Sequence, residues 1–511
     1  MILGGERPEL EDACSRTTLD DLFRQAVARH SRAIALADPP DRSRVTEGSP
    51  RRLTFAETNR AISAIAARLR QLGLPTDAVI AIQLPNTVES VITLLGIIRA
   101  GMIAALLPLL WRKADIVRAL RRINARAFIT SSRIGTTSHG ELAAQTAAEL
   151  FSIRHVGVFG DAPDGSVPFD DLLHAEKEEG VPPVNRSNPA SHIAVITFDV
   201  TGDGIVPVAR NHAQLIAGGL GPTFEGRIGR DATILSTIPI GSFAGLSLGL
   251  MPWLLSGGTL VLHHPFDFHS YAAQLRAFHC DATVLPGPLL YSLADTGHLA
   301  GADVKTILAL WRGPERLASA PPWREAATLV DVAAFGEIGL IAALRPADQA
   351  PMHFPLGKIS VPSEGSNALP IMELSRSKTG TLLLRGPMTP QHAFPADAEQ
   401  RHEPHFDTRA DGFIDTGYGC TLVDLNALAV TSPPCGITSV GGYRLATRNL
   451  DATIAKCAPD ATVFAVPHAL MGQRLAGGAP DRVKATAALQ AHGENPLVLA
   501  AFRPSRTSAS A

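Results

Sequence analysis

Apolar positions recur at helical spacing between Phe55 and Leu72 (Ile62, Ile65, Ala66, Leu69), and Gly73 marks the end of that helix. The run DAVIAIQL, Asp77 to Leu84, has the density of a buried strand and stops at Pro85-Asn86. A helix is predicted over Val88 to Arg99, then a strand-like run up to Leu107. Another helix follows over Ala114 to Ile123, and another strand over Ala125 to Thr130. The strand pattern returns at His192 to Thr197, Thr259 to His263 and Ala282 to Leu285. Helices alternating with short Val/Ile/Leu runs predict an α/β protein with a doubly wound sheet. Gly160 to Ser187, rich in Pro, Gly and charge, reads as a surface connection. After Asp411 the texture changes to short strands and turns, and Lys456 to Val466, closed by Pro467, reads as a strand. The expected organisation is a large amino-terminal body of doubly wound mixed α/β subdomains, residues 1–432, and a small carboxyl-terminal α+β domain, residues 436–511. There is no internal repeat of fixed period.

Composition narrows this picture mostly by exclusion. The 511 residues are 45% hydrophobic and 18% charged, which rules out a mainly disordered chain. Lys plus Arg is 46 and Asp plus Glu is 48, so no basic surplus points to nucleic acid. The five cysteines (Cys14, Cys280, Cys420, Cys435, Cys457) form no CxxC pair, against both a disulfide framework and a zinc site. His263, His264, His269 and His279 cluster in sequence without i, i+4 pairing, so no metal site is expected there. Val91 to Leu110 and Ala232 to Phe266 are long enough and apolar enough to suggest membrane spans. Interior Gly and Pro residues favour a buried helix, turn and strand instead. With no apolar leader in MILGGERPELEDACSR, the expected location is cytoplasmic, without a transmembrane span.

Seven segments then point in one direction. They are LTFAETNRAISAIAARLRQLGL from Leu53, the LPN at Leu84-Pro85-Asn86, the RAG at Arg99-Ala100-Gly101, PWLLSGGTLVL from Pro252, TGTLLLRGP from Thr379, DGFIDTG from Asp411 and VGGYRL from Val440. Their order and spacing over residues 17 to 477 resemble the adenylate-forming enzymes: acyl-CoA synthetases, luciferases and peptide-synthetase adenylation domains. The resemblance implies that family's fold and chemistry. A carboxylate attacks the α-phosphate of ATP, with Mg²⁺, to give an acyl-adenylate; a thiol, usually that of CoA, then displaces AMP. The partner would be a small carboxylic acid, fatty or aromatic, or its acyl thioester.

Carried over position by position, the resemblance gives a mixed picture. FDVTGDGIVPVARNH, Phe198 to His212, stands where the family has its phosphate loop. Thr201, Gly202 and Gly204 are then nucleotide-binding candidates, and His212 a catalytic one. The loop's lysine position holds Val206, while Asp199 and Asp203 bring negative charge toward a triphosphate. Arg210 is the nearest substitute cation. Phe335, Gly336 and Glu337 match the next motif, with Glu337 as the Mg²⁺ and catalytic acid and Phe335 offering a ring to the base. Tyr418 replaces the family's ribose-binding Asp, and one hydroxyl cannot give two ribose hydroxyls an ionised bidentate acceptor. The hinge reads Ser432-Pro433-Pro434-Cys435-Gly436, without its Arg and acid. The last lysine is Lys484, so the family's terminal catalytic Lys is missing and the lid is shortened; Arg503 and Arg506 are the cations left near the end. On the acyl side, Ser242, Phe243 and Gly245 are the candidates, with small residues leaving room for an apolar chain. Two readings stay open: an acyl-CoA synthetase-type ligase, or a pseudoenzyme that binds an acyl group, an acyl-CoA or a protein. A third, a transferase or hydrolase using His212 or Cys435, lacks a triad. Oligomeric state is not legible.

Overall fold

The structure is a computed structural model that describes residues 16–299, 301–345, 353–362, 368–406 and 408–503. Three sheets build the body. The first has eight strands in the order Gly339–Leu344, Thr328–Phe335, Thr306–Trp311, Ala282–Pro286, Thr233–Ser236, Thr259–Leu262, Ile34–Ala37 and Arg52–Thr54. The second has seven, in the order Gly204–Asn211, Ile193–Thr201, Ile103–Leu106, Val79–Gln83, Ala127–Ser131, His155–Phe159 and Val167–Pro168. Both are parallel through their interior and close with an antiparallel strand at one edge or both. Such sheets need helices on both faces, which is why their strands are near-continuous Val, Ile and Leu. The third sheet is antiparallel, from Phe354–Pro355 to Gly357–Val361.

The expected elements of the amino-terminal half are present. Helix Phe55–Gln71 opens with a reciprocal capping box between Thr54 and Glu57, each side chain taking the other's amide. Helix Val88–Arg99 is buried along its whole length. It lies in the main core, packed on helix Phe55–Gln71, which accounts for its membrane-like hydropathy. Ala232 to Phe266 resolves into strand Thr233–Ser236, a helical passage and strand Thr259–Leu262. Among the described residues, no helix is long and apolar enough to cross a membrane.

Two readings need correction. Lys456 belongs to helix Thr447–Cys457, and the strand behind it is Thr462–His468, which includes Pro467. That strand pairs on one side only, in a two-stranded ribbon, so a proline without an amide is tolerated. The Gly160–Ser187 connection also does more than cover the surface, since it buries Phe169, Leu172 and Leu173.

Beyond Ser432 the chain turns at Gly436 and forms the ribbon Ile437–Val440/Tyr443–Ala446. Helix Thr447–Cys457, the ribbon Thr462–His468/Gly472–Gly478 and helices Arg482–His492 and Pro496–Ala500 complete a smaller carboxyl-terminal part, termed the lid for its place alone. The lid has its own small core around Leu450, Leu489, Val498 and Phe502.

Candidate functional site

The carboxyl ends of the parallel strands in the eight-stranded sheet open into a cavity of about 580 Å³, closed from above by lid segments 440–444 and 470–471. A crevice outside the carboxyl ends of parallel strands is where open α/β sheets bind ligands, and the volume suits a small molecule. Most of the wall is apolar, with Leu84, Leu107, Leu109, Pro286 and Leu289 contributing. Its polar members include Asp199, Ser242, His264, Arg312, Glu337 and Arg444.

Local structure fixes these side chains firmly. Ser242 caps the helical turn that follows it; its Oγ accepts from the Gly245 amide (3.2 Å) and from Arg312 Nη2 (2.9 Å). Glu337 sits in the tight turn between Thr328–Phe335 and Gly339–Leu344, where Gly336 takes φ of +59°. The Glu337 carboxylate accepts from the Phe243 amide (2.7 Å), and burial, then the nearby Asp199 charge, pushes its pKa up.

The segment expected to hold phosphates is a tight hairpin. Strands Ile193–Thr201 and Gly204–Asn211 pair up to Thr201 opposite Gly204, leaving only Gly202-Asp203 as the turn. Asp199 is almost fully buried at 2% exposure, and its carboxylate accepts from the Glu337 amide (2.8 Å) and from Arg444 Nη1 of the lid (2.7 Å). Arg444 Nη2 donates to the Tyr418 hydroxyl (2.5 Å). Burial opposes the Arg444 charge, but Asp199 and Tyr418 beside it more than offset this, so its pKa is raised. Asp199, Arg444 and Tyr418 thus form one body-to-lid latch. A Cβ on Gly336 would run into both Asp199 Oδ2 and Arg444 Nη1, so the latch also needs glycine there.

Several candidates lie elsewhere. Thr201, Gly202 and Gly204 are at the hairpin tip, with Gly202 against the Cys435 carbonyl and Gly204 beside Asn449 and Pro404. None of the three lines the cavity. His212 is buried and does not line the cavity, and its Nδ1 accepts the Leu19 amide (3.2 Å). Burial pushes its pKa down to about 3, so it stays neutral. Phe335 packs edge-on against Phe354 and Tyr418 in the core. Phe243 is covered by Arg210, whose guanidinium lies 3.8 Å from the ring centre. Arg210 bridges the carbonyls of Glu337, Ile338 and Met388 through Nε and Nη2, while its Nη1 is buried without a hydrogen-bond partner among the described residues, and it does not line the cavity. Gly245 provides close backbone packing and no acyl space, since a Cβ would fall on the Pro239 carbonyl oxygen. Of the acyl set, Ser242 lines the cavity; of the nucleotide and metal set, Gly336 and Glu337 do.

Lys484 is exposed on helix Arg482–His492, and Cys435 is exposed in the hinge. Arg503 ends the described chain; Cys14 and Arg506 lie outside the described residues. No group of three or more His, Cys, Asp or Glu side chains among the described residues is placed to hold a metal ion. At the position implied for Mg²⁺ the cavity holds one carboxylate, Glu337, and the lysine position holds Val206. The hairpin offers no lysine, and Asp199 and Tyr418 are engaged by Arg444.

The sequence did not single out Arg312, Arg444 or the bulky Trp311. Arg444 is part of VGGYRL, but nothing local tells that its partner is Asp199, 245 residues earlier.

A second lid contact is sensitive to pH. Asp115, in the first turn of helix Lys113–Ile123, faces Glu494 of the lid across a small pocket that Tyr443 and Arg444 also line, with Arg118 4.0 Å away. Burial, then the Glu494 charge, pushes Asp115 up from 3.8 to about 7. The docked state thus binds this proton more tightly than the unfolded chain. Its stability is greatest near pH 4, falls as pH rises toward 7, and is flat above. Asp115→Asn removes that loss. Its stability advantage over wild type is expected to grow between pH 4 and 7, reaching on the order of 2–4 kcal/mol in urea unfolding. A pH-independent difference would contradict the assignment.

Comparison with known proteins agrees with this architecture. The profile of the AMP-binding enzyme family matches residues 23–337, more than half of the chain. Triostin synthetase I of Streptomyces triostinicus is 28% identical over 286 residues, covering 55% of this chain and 49% of that protein. The chain thus spans about half the length of that relative. Pyochelin synthase PchD of Pseudomonas aeruginosa is 24% identical over 489 residues, covering 91% of this chain and 83% of that one. Among solved structures, the amide bond synthetase McbA of Marinactinospora thermotolerans superposes with a TM-score of 0.74 at 20% identity, covering 94% of both chains. An anthranilate CoA ligase in complex with anthranoyl-AMP superposes at 0.66 and 17% identity, covering 94% of this chain and 92% of that one. At these identities the superpositions speak for the fold. The family profile, the sheets and the order of motifs together place this chain in the AMP-binding, adenylate-forming enzyme family.

Proposed function

We propose that this chain binds a small, largely apolar organic acid in the cavity between body and lid, and that its nucleotide half-reaction is disabled. The observation that carries the reading is the Asp199–Arg444–Tyr418 latch, whose residues stand in the segments the resemblance gives to the phosphate loop, the chain after the hinge and the ribose motif. The acid side is open: the cavity has apolar walls and a cation, Arg312, at its edge. On the side the resemblance gives to the nucleotide, Asp199 and Arg444 are paired with each other on the cavity wall, which supports this reading. Loss of one group that stabilises transition-state charge costs about 10²–10³ in rate. Several such losses together leave little of adenylation.

The second reading is an ATP-dependent acid–thiol ligase that would need ATP, Mg²⁺ and CoA. Family membership and the cavity-lining Glu337 favour it. Calorimetry with MgATP, followed by a pyrophosphate-release screen over aromatic and aliphatic acids, separates the two. The proposal expects no nucleotide binding tighter than about 1 mM, where binding free energy is about −4 kcal/mol. Organic acids should bind without ATP. MgATP binding in the micromolar range, with acid-dependent pyrophosphate release, would overturn the proposal in favour of the ligase.

A further inference from the structure

Most polar groups around the cavity already have protein partners. Thr237 donates to the Val284 carbonyl (3.0 Å), and Tyr443 accepts from Asn495 (2.9 Å). Arg316 donates to the carbonyls of Ala469 (2.7 Å) and Leu470 (3.1 Å), and Arg444 holds Asp199 and Tyr418. Two wall residues are different. Arg312 makes one hydrogen bond, to Ser242 Oγ, and no ion pair with a carboxylate among the described residues; the Glu337 carboxylate on the same wall favours its charge without touching it. His264 has a buried Nδ1 with no partner among the described residues. Ser242 adds a donor beside Arg312. Its oxygen accepts twice, so its own hydroxyl hydrogen is left to give.

We propose that the ligand is a monocarboxylic acid with a neutral hydrogen-bonding group at its far end, the carboxylate held by Arg312 and the Ser242 hydroxyl and the far group by His264. This rests on the acid-binding reading above and deepens it to a ligand class.

The sheet sets the length scale. Arg312 directly follows strand Thr306–Trp311, and His264 follows strand Thr259–Leu262 by one residue. Strands Ala282–Pro286 and Thr233–Ser236 lie between them. Three strand spacings of about 4.8 Å separate the two residues' strands by about 14 Å. With side chains reaching inward from both ends, a ring with a short linker spans the gap. Between the ends the wall is apolar, through Ile238, Pro286 and Leu289. Burial, then the neighbouring His263, pushes the His264 imidazole down to about 4, so near neutral pH it carries no charge. A neutral ring offers one donor and one acceptor, which suits a hydroxyl or amide and disfavours a second carboxylate.

The test uses calorimetry on the full chain with 4-phenylbutanoate, 4-(4-hydroxyphenyl)butanoate and the primary amide of the latter. The hydroxy acid is expected to bind at least about tenfold tighter than the plain acid, and the amide at least about tenfold weaker than its acid. His264→Leu should reduce the hydroxy acid to the plain acid's affinity and leave the plain acid unchanged. His264→Gln, which keeps hydrogen-bonding capacity, should retain part of the preference. Arg312→Met should weaken both acids equally. Melting temperatures confirm that each variant is folded, and if His264→Leu is not, the ligand pair and His264→Gln decide. Equal wild-type affinities for the two acids, or a preference that survives His264→Leu, would overturn this inference and leave the acid-binding reading standing. Binding of neither acid would overturn both.

Discussion

Replacing Arg444 with Met is expected to free the lid. The substitution keeps most of the side-chain volume and removes the charge, leaving the buried Asp199 carboxylate without its cation. Breaking one side of a buried ion pair typically costs about 3–5 kcal/mol, because the remaining charge stays desolvated. The Arg444 side chain retains 12% exposure, so the lower end of that range applies. Asp199→Asn removes the partner charge instead, and the double variant should recover part of the loss. A double-mutant cycle, read by hydrogen exchange across residues 437–503, should show coupling of at least about 2 kcal/mol. Strictly additive effects would mean that the latch contributes nothing to lid docking.

Two glycines four residues apart should behave in opposite ways. Gly245→Ala places a methyl group on the Pro239 carbonyl, a backbone atom that no rotamer change can move. The helical passage from Ser242 would have to shift away from the core, at an expected cost of about 3 kcal/mol or more in chemical unfolding. Gly241 lines the cavity, and a Cβ there meets only the Leu107 carbonyl oxygen, at 3.4 Å. Gly241→Ala should therefore change stability by about 1 kcal/mol or less while shrinking the cavity and weakening acid binding. Similar losses of stability in both variants would refute this division of roles.

The same pair shows where reading a sequence succeeds and where it stops. Helix Val88–Arg99 and the strands before and after it were legible because each is a continuous apolar run bounded by local turn signals such as Pro85-Asn86 and Gly101. What a glycine makes room for has no such local mark. Gly245 looked like space for a ligand, whereas folded it is space for another piece of backbone. His212 kept its place in the motif pattern, but its ring ended up as the acceptor for the start of a helix near residue 19. Arg210 looked like a spare cation and proved to be a bridge between backbone carbonyls. The latch was the least legible feature of all. Its three residues stand in three separate segments; Asp199 and Tyr418 looked like losses and Arg444 was not singled out, until the fold brought them together.

The hairpin at Gly202-Asp203 limits what this segment can hold. From Val195 opposite Arg210 to Thr201 opposite Gly204, every residue has a cross-strand partner. A lysine returned to position 206 would enter a buried strand site opposite Asp199, with no open loop to receive it. Opening a phosphate cradle here would require several rungs of the ladder to be surrendered together. The cavity wall can change its residues without touching the ladder, whereas a phosphate cradle cannot be built at this hairpin without breaking it.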